Sequence, residues 1–328
     1  MAAFCLPDVS GQSVFNRMKC INAAKSLTTE EGLRQEVEYL SGSLCEGRAS
    51  ASRGGTETAM HICHLFNTYG LSPLSPEGSY SNTFVHDGKV CRNIMGMVQG
   101  STDMGRDKYI LVMAHYDGLG RMGDKLYPGA DSNASGVAAM LSLAKMFSAA
   151  TAARGGYIEK SIIFVGIDAK QLNMAGSKAL WEMFKAGLVK DPFTGKTIRP
   201  SDLAVVVNLD ILGSSASPLK SGRRDYLIML GGSDFMKQQL TGVNNYSDTR
   251  LDIGLNYYGS KSFTDLFLNR VSDQRPFLRG GVRSVMFTSG ITMDTNKETD
   301  TPEHIDWSIL KRRTLLVYHW IDRMTFLL

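Results

Sequence analysis

Apolar runs typical of buried strands alternate with amphipathic helical segments over most of this 328-residue chain. The runs 108–115 (KYILVMAH), 161–167 (SIIFVGI) and 203–212 (LAVVVNLDIL) are separated by segments with helical spacing, such as 136–147. Continuous apolar runs fit strands covered on both faces, and strand–helix alternation is typical of a largely parallel sheet. The sequence therefore predicts an α/β fold: a three-layer sandwich with a central, mostly parallel mixed sheet and helices on both faces.

Composition and charge exclude several classes of protein. The chain is 43% hydrophobic and 21% charged, which is ordinary for a globular protein. Its net charge of +4 is spread along the chain without a basic arm, so we expect no nucleic-acid partner. No apolar run approaches the roughly 20 residues that span a bilayer, so no transmembrane segment is expected. No signal peptide is visible either; localisation stays open, because a trimmed secreted or periplasmic protein would also lack its leader.

No linker is long enough to divide the chain, so we predict a single domain over residues 1–328, with 1–28 as an N-terminal extension. A Thr/Glu capping signature opens the first predicted helix, at 28–41. The segment 191–202 (DPFTGKTIRPSD) is interpreted as an insertion hairpin or lid, with an ordinary surface loop favoured. The odd number of cysteines predicts at least one free thiol and leaves one disulfide open; they are Cys5, Cys20, Cys45, Cys63 and Cys91.

Polar side chains stand at the ends of successive predicted strands, where ligands bind in open α/β sheets. In chain order they are His115, Asp117, Asp131, Asp168, Lys170, Gln171, Asp210, Thr292, Asp294, Asn296 and Asp300. Imidazole and carboxylate groups that converge from separate strands are the ligands a zinc site requires. A lone His-x-Asp is weak evidence, since most strand ends are simply solvated. The full set at successive strand ends is much more specific.

Four motifs carry a resemblance to a known family. They are AHYDGLG (114–120), PGADSNASGVAAML (128–141), NLDILG (208–213) and DTPEHID (300–306). With them the chain resembles the zinc-dependent exopeptidases of the bacterial leucyl aminopeptidase type, whose superfamily includes the glutaminyl cyclases. The resemblance extends from about residue 39 to residue 307 and implies the zinc-exopeptidase fold.

The resemblance also implies roles for individual residues. In the family two zinc ions lie side by side, and the bridging aspartate corresponds to Asp131. One metal also takes a histidine and an aspartate, which correspond to His115 and Asp210. Asp117 matches a carboxylate that orients the histidine ligand. The other metal takes the second glutamate of a Glu-Glu pair and a late histidine, while the first glutamate is the general base for the attacking water.

This sequence departs from the family's pattern at the acid pair and at the late histidine. Lys170 stands at the general-base position, and Gln171 and Asn296 stand at the positions of two metal ligands. Asp131 and Asp210 supply a formal charge of −2, whereas the family's four acids supply −4. A protonated Lys170 makes the charge of the site less negative still. Uncompensated positive charge in a partly desolvated cleft costs on the order of several kcal/mol. We therefore hypothesise that Lys170 pairs with Asp131 or Asp210 and takes roughly the space of a missing metal.

The replacements lead us to expect at most one zinc ion, at a remnant site of His115, Asp131 and Asp210, or none. The sequence predicts an aminopeptidase-like protein with impaired or lost catalysis. It would bind peptides or amino termini in the inherited cleft, with Asp131 or Asp210 facing an α-amino group. Two alternatives stay open: an active metallo-aminopeptidase that uses one zinc or an atypical base, and an interaction or scaffold protein without a small ligand. The oligomeric state and the natural ligand also stay open.

Overall fold

The structure is a computed structural model that describes residues 22–100, 107–152, 158–247 and 249–328. The predicted extension over 1–28 lies mostly outside these ranges, as do Cys5 and Cys20. From residue 30 onward the α-helices are α1 (Glu30–Ser41), α2 (Arg53–Thr68), α3 (Ser135–Ala152), α4 (Ala175–Lys185), α5 (Asp234–Tyr246), α6 (Lys261–Leu266), α7 (Arg275–Arg279) and α8 (Trp307–Leu327). The strands are β1 (Ser72–Pro73), β2 (Ser81–His86), β3 (Lys89–Val98), β4 (Tyr109–His115), β5 (Gly120–Met122), β6 (Lys125–Tyr127), β7 (Ser161–Ile167), β8 (Leu203–Leu209), β9 (Tyr226–Gly231), β10 (Asp252–Gly254) and β11 (Ser284–Thr288).

In the described part of the chain, nine strands form one sheet in the order β1–β3–β7–β4–β8–β11–β9–β10, with β2 also paired to β3. The four central strands β7, β4, β8 and β11 run parallel, whereas the flanking strands β3 and β9 pair antiparallel with that block. β5 and β6 form a separate hairpin. The predicted mixed sheet is confirmed. Because the central strands are parallel, their carboxyl ends and the polar residues that follow them meet at one edge of the sheet.

Helices cover both faces of this sheet, as the continuous apolar runs predict. Ile110 and Val112 of β4 join a buried cluster with residues of α3 and α8. Leu111 and Met113 point the other way and join a second cluster with residues of α4 and α7. Successive strand residues face opposite sides, so each central strand contributes apolar side chains to two cores.

The structure differs from the sequence-based expectations at the start of the last helix and in the segment after α2. From the sequence alone we predict that a final helix starts near Pro302, but residues Pro302–His304 form only a short 3₁₀ turn. The helix α8 begins at Trp307 because the side chain of Asp306 accepts a hydrogen bond from the backbone N–H of Ile309. The Pro/Ser/Gly-rich stretch 71–82 (LSPLSPEGSYSN) has the composition of a loop, but it contributes β1 and the start of β2.

One helical stretch, Ala130–Ala152 with its irregular first turn, is long and apolar enough by composition to cross a membrane. Of its most apolar window, 72% is buried within the protein. It includes α3, which packs against α1, α8 and the sheet. This burial is what a core helix of an α/β domain shows. Among the described cysteines, Cys45, Cys63 and Cys91 are free thiols.

The segment 191–202 is a small hairpin at the opposite edge of the sheet from the predicted site. Its Asp191 is buried and accepts a hydrogen bond from the hydroxyl of Tyr109, at the start of β4, over 2.7 Å. The other carboxylate oxygen of Asp191 accepts the backbone N–H groups of Phe193 and Thr194. The Tyr109 bond ties the segment to the amino end of β4, and the other two stabilise its turn, so it cannot serve as a lid over the site.

Asp191→Ala should therefore lower the free energy of unfolding by about 2–3 kcal/mol, because it leaves the buried hydroxyl of Tyr109 and two backbone N–H groups of the hairpin without their acceptor. Tyr109→Phe removes one of these bonds and should cost about 1 kcal/mol. Urea unfolding of both variants measures the difference. An Asp191→Ala variant as stable as the parent would show that the hairpin is not anchored by this carboxylate.

Candidate functional site

The turn between β7 and α4 places Lys170 at the carboxyl edge of the sheet. Its ammonium donates a short hydrogen bond to Oδ2 of Asp210, which follows β8. The same nitrogen lies 3.9 Å from Oδ2 of Asp273, which precedes α7. The side chains of Lys170, Asp210 and Asp273 are 16%, 6% and 0% exposed. One cation is thus held between two buried carboxylates.

The charges in this cluster stabilise the protonated form of Lys170 and the ionised form of Asp210. Burial by itself lowers the pKa of Lys170, but the charges of Asp210 and Asp273 outweigh burial and raise that pKa above its ordinary value. Burial likewise opposes ionisation of Asp210, but Lys170 and His115 hold its pKa well below the usual range. A lysine with a raised pKa is a poor proton acceptor at neutral pH, so its environment does not favour use as a general base.

Asp273 is the member of the cluster that sequence reasoning missed. Burial raises its pKa, although Lys170 and His115 oppose that rise. In the described part of the chain, neither of its carboxylate oxygens has a hydrogen-bond partner, so the Lys170 charge is its nearest compensation. It lies in the stretch VSDQRPF, which matches no quoted motif. Only the packing of α7, whose Phe277 is buried against α4, brings it to the site.

His115 ends β4 and lies between two aspartates. Its Nε2 is 3.5 Å from Oδ1 of Asp210, and its Nδ1 is 3.0 Å from the backbone carbonyl of Asp117, which accepts the Nδ1–H. The Asp117 carboxylate, expected to orient the ring, is 3.5 Å from Nδ1 and accepts the backbone N–H of Gln171 over 2.9 Å instead. Burial and the Lys170 charge oppose protonation of His115, but Asp117 and Asp210 outweigh them and raise its pKa.

Asp131 does not face Lys170; it holds the loop after β8. Its Oδ1 accepts the backbone N–H of Gly213 and the hydroxyl of Ser135, both over 2.7 Å. Its Oδ2 accepts the backbone N–H of Ser214 over 3.0 Å and a short hydrogen bond from the Ser214 hydroxyl. Asp300 in turn accepts the backbone N–H of Asp131. Of the two partners considered for Lys170, the structure therefore has Asp210.

The two positions that replace metal ligands lie apart from this cluster. Gln171 is exposed, and only its backbone N–H contacts the cluster, through Asp117. Asn296 is exposed in the loop between β11 and α8, where its φ of 61° is left-handed. Among the described residues, neither side chain hydrogen-bonds to His115 or Asp210. The structure thus brings together His115, Asp117, Lys170 and Asp210, and leaves Gln171 and Asn296 outside.

The donor set does not fit the zinc centre that the resemblance implies. Within the described ranges, no group of three or more His, Cys, Asp or Glu side chains is arranged to hold a metal ion. Two of the three remnant candidates are committed elsewhere, since Asp210 binds the Lys170 ammonium and Asp131 binds backbone N–H groups. A cation at the remnant site would also meet the positive charge of Lys170.

Comparisons with known proteins agree with the fold and the motifs. The model of Peptidase family M28 matches residues 93–321. The BOS complex subunit ncln of Danio rerio is 24% identical over 294 residues, covering 85% of this chain and 49% of that protein. A "Probable zinc metalloprotease" of Pyrenophora tritici-repentis is 27% identical over 219 residues, covering 59% of this chain and 45% of that protein. The chain thus spans about half the length of these curated relatives.

A solved structure shows the same fold at low identity. The LapA aminopeptidase of Legionella pneumophila superposes with a TM-score of 0.68 at 13% identity, over 99% of this chain and 78% of LapA. This likeness confirms the zinc-exopeptidase fold that the four motifs predict. The family model covers more than two thirds of the chain, including all four motifs. On these grounds the chain belongs to peptidase family M28.

Proposed function

We propose that this chain keeps the M28 fold without the family's hydrolytic chemistry and acts as a protein-binding subunit of a larger assembly. The observation that carries the proposal is the ammonium of Lys170 on Asp210, in the region where the family places metal ions and acids. A buried lysine with a raised pKa repels a metal cation and does not take a proton from water. The similarity to a protein named as a subunit of the BOS complex supports the assembly role.

The sequence suggests that the cleft binds a free amino terminus, but the contacts of the two acids involved argue against this role. The acids expected to face an α-amino group are Asp131 and Asp210. Asp210 is already paired with Lys170, and both oxygens of Asp131 accept hydrogen bonds from the chain itself. An incoming ammonium group would have to displace these partners. A protein partner that docks outside the cluster does not meet this obstacle.

A second candidate, an active metallo-aminopeptidase with one zinc, is favoured by the relative named as a probable zinc metalloprotease. The two candidates differ in measurable ways. We expect the unaltered chain, purified without chelators, to lack stoichiometric zinc and to leave aminoacyl fluorogenic substrates intact with added zinc, cobalt or manganese. Two zinc ions per chain, or robust release of amino-terminal residues, would contradict our proposal and support the hydrolase.

A variant with the family's residues put back tests whether this fold can still bind a metal ion. Lys170→Glu, Gln171→Glu and Asn296→His together return the family's acid pair and late histidine. We expect zinc to raise the melting temperature of this triple variant but not that of the parent, because a ligand selective for the native state stabilises it. The matched control is Gln171→Glu alone, which keeps Lys170 and should not respond. If zinc does not raise the melting temperature of a folded triple variant, the loops that carry these side chains also differ from those of the metal-binding relatives.

A further inference from the structure

The strand β2 forms an outer edge of the nine-stranded sheet. It pairs with β3 on one side, from Ser81 opposite Ile94 to His86 opposite Lys89, without a shift of register. In the described part of the chain, no strand pairs with its other side. The backbone N–H and C=O groups on that side must therefore find partners in side chains, in solvent or in another molecule.

The hydrogen-bond pattern identifies the residues of β2 whose backbone groups point outward. The backbone N–H of Met95 donates to the carbonyl of Tyr80 over 2.7 Å, so these two opposing residues form a hydrogen-bonded pair of the ladder. Hydrogen-bonded and non-hydrogen-bonded pairs alternate along an antiparallel ladder. The residues of β2 that face away from β3 are therefore Ser81, Thr83 and Val85.

Two further contacts agree with this alternation. Arg92 stands opposite Thr83, and its backbone N–H donates to the carboxylate of Asp168 over 3.0 Å, on the side away from β2. The N–H of Ser81 donates to the hydroxyl of Ser79 over 3.3 Å, and that hydroxyl donates to the carbonyl of Ser81 over 3.2 Å. Ser79 thus satisfies the outward groups of Ser81 from within the chain.

The outward groups of Thr83 and Val85 have no comparable partner. Within the described ranges, no hydrogen bond reaches the N–H and C=O groups on the outer side of these two residues. Both residues are exposed, and Val85 is 70% exposed. Two donors and two acceptors are therefore open to a further strand.

The other edge strands of the sheet are short or covered. β1 has two residues and includes Pro73, which has no N–H to offer. β10 has three residues, and the hydroxyl of Ser221 donates to the carboxylate of Asp252 at its start. β2 has six residues and contains no proline and no Lys, Arg, Asp or Glu, which natural edge strands use to prevent pairing. Of these edges, β2 is the one suited to accept another strand.

The free groups of β2 are complementary to those of a second copy of the same strand. If two β2 strands run antiparallel about a twofold axis at Phe84, Thr83 of each copy stands opposite Val85 of the other. Each of these two pairs exchanges two hydrogen bonds. The twofold arrangement therefore provides a partner for every free N–H and C=O group of both residues in both copies.

The side chains fit the same arrangement. Val85 would lie beside Thr83 of the other copy, and pairs of β-branched residues stabilise adjacent strands. Because β2 contains no Lys, Arg, Asp or Glu, no like charges within the strands are brought opposite each other. Val90, which stands opposite Val85 on β3 and is 48% exposed, extends the apolar strip beside the pairing. Backbone and side chains thus favour the same occupant, a second β2.

We infer that this chain forms a twofold dimer in which two β2 strands pair antiparallel about Phe84 and join two sheets into one. The inference goes beyond the proposed function and does not depend on it, since this pairing requires neither a metal ion nor its absence. Pairing closes after two copies, because each chain contributes one β2 edge. The contact is small for a specific interface, so we expect a dissociation constant in the micromolar range.

The first test measures the unaltered full chain by sedimentation velocity and hydrogen exchange between about 1 and 200 µM. We expect the dimer fraction to rise over this range. The N–H groups of Thr83 and Val85 should exchange more slowly at the high concentration, because they are bonded only in the dimer. A chain that stays monomeric throughout, or a dimer without this added protection, would overturn the inference.

The second test examines the register by charge. Thr83→Lys/Val85→Lys sets lysines opposite lysines in the dimer and should weaken it by at least about tenfold, and Thr83→Glu/Val85→Glu should do the same. An equimolar mixture of the two variants should form dimers again, because each lysine then faces a glutamate. This recovery would also show that both variants are folded.

The matched control is Leu188→Lys/Thr241→Lys, which adds the same charge at exposed positions outside β2. We expect it to change the dissociation constant less than about twofold. Equal weakening by this control and by the lysine variant of β2 would contradict the proposed interface, and so would folded lysine and glutamate variants that do not associate on mixing. None of these outcomes involves zinc binding or peptide hydrolysis, so the inference and the proposed function can fail separately.

Discussion

Lys170→Met is expected to lower the free energy of unfolding at neutral pH by about 3–5 kcal/mol. Methionine has a side chain of similar length, but it leaves Asp210 and Asp273 buried without the ammonium that compensates them. Removing one partner of a buried ion pair is far more costly than removing both. Lys170→Met/Asp210→Asn should therefore lose less stability than Lys170→Met alone, as a double-mutant cycle by urea unfolding will measure.

The pH dependence gives this prediction a second readout. Because the folded-state pKa of Asp210 is lowered, the stability it contributes is present above the ordinary aspartate pKa of about 4 and is lost as the pH falls. In Lys170→Met that contribution is missing, and the buried carboxylates relieve their charge by taking up protons. The deficit of the variant should thus be largest near neutral pH and shrink as the pH falls towards about 4.

Gln171→Met is the matched control, since Gln171 is the neighbouring residue and its side chain is exposed. It should change stability by no more than about 0.5 kcal/mol. If Lys170→Met costs no more than this control, or if its deficit does not depend on pH, the ion cluster is not the stabilising element we describe.

Arg48→Met should have a comparable effect, a loss of about 3–5 kcal/mol, for a different reason. The Arg48 guanidinium is fully buried and donates to four backbone carbonyls, those of Leu40, Tyr116, Pro128 and Gly129, over 2.6–2.9 Å. It joins the end of α1 to the loop after β4 and to the loop before Asp131. Methionine would leave these carbonyls without their donor. Arg48→Lys, which keeps the charge but not the planar fork of donors, should recover only part of the loss.

Hydrogen exchange should locate the damage. The backbone N–H of Gly118 donates to the carbonyl of Arg48 over 3.0 Å, so its protection should fall in Arg48→Met before that of the central strands. Arg53→Met replaces a nearby exposed arginine and should be close to neutral. Equal exchange at Gly118 in Arg48→Met and Arg53→Met would contradict the assignment of Arg48 as the anchor of these loops.

The sequence predicted the central architecture well because central strands are encoded locally. The runs that contain β4, β7 and β8 are continuously apolar, and each is buried on both faces. The helix α5 was not predicted, because its sequence DFMKQQLTGVNNY is mostly polar and buries only Met236, Leu240 and Asn244. Its place is fixed by packing against α8, a contact between distant parts of the chain.

The site was predictable in its residues and less so in their contacts. Family motifs pointed to His115, Asp210 and Lys170, which the structure brings together. They did not indicate that Asp131 holds the loop after β8, or that the Asp117 carboxylate binds the backbone of Gln171. The hydrogen bonds of a carboxylate depend on its side-chain rotamer and on the backbone around it. A short sequence motif specifies neither.

By itself the sequence determined that this chain is an α/β protein of the zinc-exopeptidase type whose acid pair has become Lys170 and Gln171. It did so because strand periodicity and residue identity are local properties. Only the tertiary structure decided that Lys170 meets both Asp210 and Asp273. Asp273 lies more than a hundred residues after Lys170 in the chain. It reaches the ammonium only because α7, which follows it, packs in the same buried cluster as β8. The charge balance of the cluster is a sum over residues that the fold alone makes neighbours.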